Sequence, residues 1–62
     1  MPSTWLDRPL RVEYADAGGK GRETRGVLLD WYPVGVVLRI EGARTLIPRE
    51  RLALLELAEG GG

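Results

Sequence analysis

Two stretches of the chain place an apolar side chain at every second position. The first spans residues 10–14 and the second spans residues 34–41. The apolar members are Leu10, Val12, Tyr14, Val34, Val36, Leu38 and Ile40. A spacing of two puts such side chains on one face of a strand, and the β-branched content favours a strand as well. Each stretch therefore predicts a strand with one face toward a core.

A longer apolar segment, residues 23–32, lies between these two stretches and predicts the second strand of the chain. Both of its faces carry apolar side chains, which indicates a long, bent strand with the bend at Gly26. Pro33 then ends the pairing and begins the turn into the third strand. The residues that we expect in the core are Val12, Val27, Leu29, Val36, Leu38, Ile40 and Ile47.

The rest of the chain predicts a tight turn, a short strand, one helical turn and a last strand. Gly42 supplies the positive φ of the turn, and residues 43–47 form the fourth strand. Residues 48–51 form one helical turn, because proline suits the first helical position. Residues 52–57 favour helix by propensity but have the length of a strand, and we predict a strand.

The composition points to one small domain without a metal or redox centre. The 62 residues contain no cysteine and no histidine, so disulfides and the usual zinc sites are excluded, and we expect no cofactor. Nine basic and nine acidic residues give a net charge of zero. A protein that depends on phosphate contacts normally has a basic excess, although a neutral total can conceal a local patch.

Other function classes are also disfavoured. Two close polar pairs have apolar neighbours: Asp30 with Tyr32, and Glu41 with Arg39. Both pairs are more typical of strand-face residues than of a catalytic acid and base, so we expect no enzyme. No stretch approaches the roughly 20 apolar residues of a membrane span. The N-terminal residues lack the basic and apolar regions of a secretory signal, so we expect a cytoplasmic protein and no membrane partner.

A glycine-rich loop between the first two strands carries a modest basic cluster. Gly19-Lys20 is followed by Gly21 rather than by a hydroxyl residue, and the chain continues into a strand, which excludes a phosphate-binding P-loop. Lys20, Arg22 and Arg25 remain as candidate binding residues near the tip of the loop.

Five short strands with a one-turn helix before the last are typical of the SH3-like barrel. Within that class, residues 26–38 resemble the first motif of the Sm and Sm-like family in their glycine, their leucines and an acidic–aromatic pair, Asp30-Trp31. The resemblance implies an all-β fold, a small five-stranded antiparallel barrel. The RNA-contacting Asn of the family would fall at Gly35, and Pro48 departs from the glycine of its second motif. The resemblance therefore concerns the fold more than RNA binding.

The sequence predicts three parts in the chain. Residues 1–8 form an N-terminal segment with at most one helical turn, residues 9–58 form the single SH3-like barrel, and residues 59–62 form a disordered glycine tail.

Two function hypotheses remain. The first is a non-catalytic protein-interaction or self-assembling module, because the run 52–57 has more apolar surface than one strand face of a monomer can bury. Its candidate interface residues are Leu52, Leu55 and Leu57. The alternative is a nucleic-acid binder with surface arginines for phosphates and Trp31 or Tyr32 for stacking. Its candidate arginines are Arg22, Arg25, Arg39, Arg44, Arg49 and Arg51. The two hypotheses differ in whether these arginines converge on one face or pair with Glu23, Glu41 and Glu50.

Overall fold

A computed structural model describes residues 3–58 and consists of one antiparallel sheet with two single 3-10 turns. The strands are β1 (Pro9–Ala15), β2 (Gly21–Tyr32), β3 (Gly35–Ile40), β4 (Ala43–Pro48) and β5 (Leu52–Leu57), and the 3-10 turns are Ser3–Trp5 and Arg49–Arg51. The all-β prediction, with five antiparallel strands and one turn before the last strand, is confirmed. Residues 52–57 are a strand, despite their helical propensity. The predicted glycine tail, 59–62, lies outside the described residues.

The strands lie in the order β4-β3-β2-β1-β5. Consecutive strands pair as hairpins, and β5 pairs with β1 at the far side of the sheet. Within residues 3–58, β4 and β5 are not hydrogen-bonded to each other, so each is an edge strand with one free side. The hydrogen bonds therefore do not close the five strands into the barrel that the sequence predicts. The open pairing leaves two edges rather than none, and these edges position the candidate site.

The core lies on one face of the sheet and draws on β1 to β4. Its members are Leu10, Val12, Leu28, Val36, Leu38 and Ile47. Trp5, from the first 3-10 turn, packs against this core together with Tyr14, Trp31, Ile40, Leu52 and Leu55. Large apolar side chains from both ends of the chain thus cover the core, which compensates for the small size of the domain.

The predicted core face of β2 is wrong at Val27 and Leu29. Leu28 is fully buried opposite Leu38, whereas Val27 and Leu29 are only half-buried. The physical reason is a break in the β2–β3 register between Leu28 and Asp30, which leaves Leu29 without a partner. An unpaired extra residue inverts the alternation of side chains beyond it.

The β3–β4 hairpin has a two-residue turn that fixes its register. Glu41 and Gly42 have φ values of 52° and 80°, as in the turn type that matches the twist of the flanking strands. The positive φ predicted for Gly42 is confirmed. The turn places Ile40 opposite Ala43, and the register continues without a shift to the pair of Gly35 and Pro48. The turn therefore determines which side chains of β3 and β4 are neighbours.

Candidate interaction surfaces

One guanidinium gathers three carboxylates on the solvent side of β1, β2 and β5. The Nε of Arg11 donates to Glu56 Oε1 at 2.5 Å, and its Nη1 donates to Glu13 Oε2 at 2.8 Å and to Glu23 Oε2 at 2.5 Å. The hydrogen bond to Glu56, followed by those to Glu23 and Glu13, raises the pKa of Arg11 further above its already high value. We call these four residues the acidic face. One positive and three negative groups leave it with an excess of negative charge.

Three other arginines lie on the solvent side of β2, β3 and β4 without any carboxylate partner. Arg39 is directly opposite Arg44, and on its other side it is opposite Val27, two residues beyond Arg25. Within residues 3–58, the side chains of Arg25, Arg39 and Arg44 form no ion pair and no hydrogen bond. Like charges directly opposite each other destabilise a sheet. We call these three arginines the basic face.

The net charge of the chain is zero, but its charged side chains are not spread evenly over the sheet. Negative charge is concentrated on the β1–β5 side of the sheet, and Arg39 and Arg44 carry unpaired positive charge on the β3–β4 side, while Arg25 lies on β2 directly opposite Arg11. Glu23 bonds to Arg11 rather than to one of the candidate arginines. The apposition of Arg39 and Arg44 could have been found from the sequence, because a two-residue turn at Glu41-Gly42 fixes it.

The loop between β1 and β2 is held in shape by one aspartate. Asp16 Oδ1 accepts hydrogen bonds from the backbone N–H groups of Gly18 and Lys20, at 2.9 and 3.0 Å. Its Oδ2 accepts a third from Arg22 Nε at 2.9 Å. These bonds, that from Arg22 first, lower the pKa of Asp16. Arg22 is thus engaged within the loop, while Lys20 is exposed at its tip.

The two predicted stacking residues have different environments. Trp31 is half-buried and packs against the core, so its ring is part of the fold. Tyr32 is 47% exposed, and its hydroxyl donates to Asp30 Oδ2 at 2.9 Å. This hydrogen bond raises the pKa of Tyr32, because it stabilises the protonated phenol. Tyr32 alone presents an accessible ring.

The candidate binding residues of the sequence analysis do not form one site. Arg22 and Arg51 line the same open groove of about 680 Å³, together with Glu23 and Glu50. Arg49 is exposed on the 3-10 turn, and Arg25 belongs to the basic face. Trp31 and Tyr32 end β2, the strand that begins at the glycine-rich loop.

The two edge strands expose apolar side chains toward solvent. On β4, Leu46 is 51% exposed and lies two residues after Arg44. On β5, Leu54 is 36% exposed and lies two residues before Glu56. Of the predicted interface residues, Leu52 and Leu55 pack against the core of their own chain, and Leu57 is 38% exposed. Leu46 and Leu54 were missed, because their exposure depends on which strands are at the edges.

A pocket of about 190 Å³ lies beside β4, between that strand and the end of β1 with its following loop. Its walls are mostly apolar, and Arg51 also lines it. Its wall residues include Tyr14, Ala17, Ile40, Ile47, Pro48 and Arg51.

No protein-family model, no curated protein and no solved structure matches this chain. The resemblance of residues 26–38 to the first Sm motif therefore stays a prediction from the sequence. In the part of the chain that the structure describes, no helix is long and apolar enough to cross a membrane. The same residues contain no group of three acidic, histidine or cysteine side chains arranged to hold a metal ion.

Proposed function

We propose that this chain is a non-catalytic interaction module that assembles with copies of itself, with β4 of one copy pairing with β5 of the next. The observation that carries the proposal is that the two free edges have complementary side chains. One edge presents Arg44 and Leu46 on its solvent side, and the other presents Leu54 and Glu56. An exposed edge with apolar side chains is a template for pairing with another chain.

The spacing of these residues specifies a register. An antiparallel pairing that places Leu46 opposite Leu54 also places Arg44 opposite Glu56, because each pair is separated by two residues along its strand. Apolar and opposite-charge pairs across an antiparallel ladder both stabilise it. The same pairing brings the basic face of one copy next to the acidic face of its neighbour, so the charges of the whole faces are complementary.

The symmetry of the assembly follows from the position of the edges. A contact between β4 and β5 uses two different surfaces of the chain, and such a contact is heterologous. Repetition gives a ring if the rotation per copy closes and a filament if it does not. Either form removes both exposed edges from solvent, which a single copy cannot do.

Charge reversal at one edge is expected to break the assembly. Arg44→Glu faces Glu56 of the neighbour with a like charge, and Glu56→Arg faces Arg44 in the same way, so each variant should associate at least tenfold more weakly in sedimentation velocity. An equimolar mixture restores two compatible contacts, Glu at position 44 with Arg at position 56 and the native Arg44 with the native Glu56. It should therefore recover wild-type-like assemblies in which the two variants alternate.

Two matched variants control for the change of charge itself. Arg49→Glu and Glu50→Arg make the same reversals on the exposed 3-10 turn, outside the two edge strands, and should assemble as the wild type does. Far-UV circular dichroism checks that each variant is folded, because Glu56→Arg also removes a hydrogen bond to Arg11. A wild-type chain that sediments as a monomer at micromolar concentration contradicts the proposal.

Binding of a polyanion such as single-stranded nucleic acid is the second candidate function. The observation that favours it is the basic face, where Arg39 and Arg44 are opposite each other and unneutralised. An accessible ring, Tyr32, ends β2. Guanidinium groups and an exposed aromatic ring are the elements of single-strand binding.

This second function predicts a shallow salt dependence. Three phosphate contacts to a single strand give a slope of roughly −2 in log affinity against log salt. Arg25→Gln with Arg39→Gln should reduce both the slope and the affinity for a fluorescent RNA oligonucleotide, while Arg49→Gln should change neither as much. Absence of binding by the wild type at low salt rules this function out and leaves the self-assembly proposal intact.

A further inference from the structure

The pocket beside β4 is lined mostly by apolar residues. Its volume of about 190 Å³ corresponds to roughly six water molecules at about 30 Å³ each. Ile47 contributes to its floor from the core side of β4, and Tyr14 and Ala17 form the opposite wall. A strand that pairs with the free side of β4 alternates its side chains between the solvent face and the core side of the sheet. Its core-side residues therefore lie over this pocket.

The chain's own β5 is a poor fit to the pocket. Counted along an extended strand from the Arg44–Glu56 pair, the residue opposite Ile47 is Ala53, which is also the residue that the β1–β5 pairing skips. A methyl group fills little of a cavity of this size, and an unfilled apolar cavity forfeits contacts that a larger side chain would make. The rest of the register, with Leu54 on Leu46 and Glu56 on Arg44, is well matched.

We infer that this pocket selects an extended segment of another protein, one that presents a large apolar residue three positions before an acidic residue. The segment adds to the sheet along β4, with main-chain hydrogen bonds that supply affinity and side chains that supply specificity. The acidic residue meets Arg44 on the solvent face, and the large apolar residue enters the pocket next to Ile47. This inference rests on the β4 edge of the proposed function and names a partner beyond a second copy of the chain.

The pocket has a cationic side chain in its lining and a wall that is already held in place. Arg51 lines both the pocket and the adjoining groove, and Asp16, whose carboxylate is bonded to Arg22, also lines the pocket. The hydrogen bonds of Asp16 hold the loop that forms the opposite wall, so the pocket exists before any partner arrives. Preorganised walls reduce the entropy that binding would otherwise lose.

The test uses the Glu56→Arg variant, whose β5 edge is blocked and whose β4 edge is unchanged. Its probes are two peptides with polar flanks, one containing Leu-Ala-Leu-Leu-Glu-Leu and the other the same sequence with Phe in place of Ala. Isothermal titration should give a dissociation constant at least tenfold lower for the Phe peptide, the range that an added apolar group in a pocket provides. Ala17→Trp, which fills the pocket from an exposed loop position, should remove that advantage and leave the Ala peptide unaffected.

Three results separate this inference from the proposal on which it rests. A preference for Phe that Ala17→Trp removes supports the inference. Equal affinity for the two peptides overturns the inference while the β4 edge, and with it self-assembly, stands. Binding of neither peptide, when the wild-type chain does self-associate, shows that assembly does not use the β4 edge in this register and overturns both.

Discussion

Leu28→Ala is expected to lower the free energy of unfolding by about 2–5 kcal/mol, the range for a buried leucine truncated in a core. Leu28 is fully buried opposite Leu38, whose side chain is equally buried. A domain of this size sits near the lower end of the 5–15 kcal/mol typical of native proteins, so much of the variant should be unfolded at moderate temperature. Urea denaturation followed by tryptophan fluorescence measures the loss.

The neighbouring residue provides the matched control. Leu29 has the same side chain but is half-buried where the β2–β3 register breaks. Leu29→Ala should therefore lower the free energy of unfolding by about 1 kcal/mol or less. Unchanged m-values would confirm that both effects are on stability. Equal losses for the two variants, or a larger loss for Leu29→Ala, would mean that β2 has the opposite face toward the core.

Gly35→Ala is expected to have the second large effect on stability. It should lower the free energy of unfolding by about 3 kcal/mol, the upper part of the range for overpacking. A Cβ at Gly35 would overlap the carbonyl oxygen of Ile47 and would lie 3.0 Å from Pro48 Cα. Both obstacles are backbone atoms of the paired strand β4, so they cannot turn aside as a side chain could. The strands would have to separate at the edge that carries the assembly proposal.

A glycine at the start of β2 tests whether the effect is steric. A Cβ at Gly21 has no atom within 4 Å, so Gly21→Ala should be neutral or should stabilise by about 0.4–1 kcal/mol through the unfolded chain. Thermal unfolding of the two variants side by side gives the comparison. A Gly35→Ala variant as stable as Gly21→Ala would show that β3 and β4 are not in close contact at this pair.

The sequence predicts strands where one face alone is apolar. In β1 and β3 the period of two correctly places Val12, Val36 and Leu38 in the core, but Val37 on the other face of β3 is also buried, and Val34, which precedes the strand, is 65% exposed. In β2 the period is broken by one extra residue, and nothing local distinguishes an extra residue from an exposed leucine. The choice between Leu28 and Leu29 depends on β3, whose pairing is a property of the folded sheet.

The candidate site was predicted in part. The sequence suggests the residue types of the proposed site, arginines and last-strand leucines, but how they group depends on the strand order. Glu56 is 45 residues from Arg11 in sequence and bonds to it because β5 returns to β1. That return also leaves β4 with a free side and exposes Leu46. Contacts at such separations are set by how the whole sheet assembles, and a single sequence records them only indirectly.

Disulfide trapping between two single-cysteine variants tests the central claim, pairing of β4 with β5 of another copy, most directly. The natural chain has no cysteine, so Leu46→Cys and Leu54→Cys each supply one thiol. Opposite residues of an antiparallel pair have Cα atoms about 4.5 or 5.5 Å apart, within the span of a disulfide. Leu46→Cys with Glu56→Cys is the control, since it is two residues out of register. The proposal predicts that a mixture of the first two variants, oxidised mildly, yields mainly the 46–54 heterodimer and that the control mixture does not. Random or homodimeric cross-links, or equal yields from the two mixtures, would contradict it.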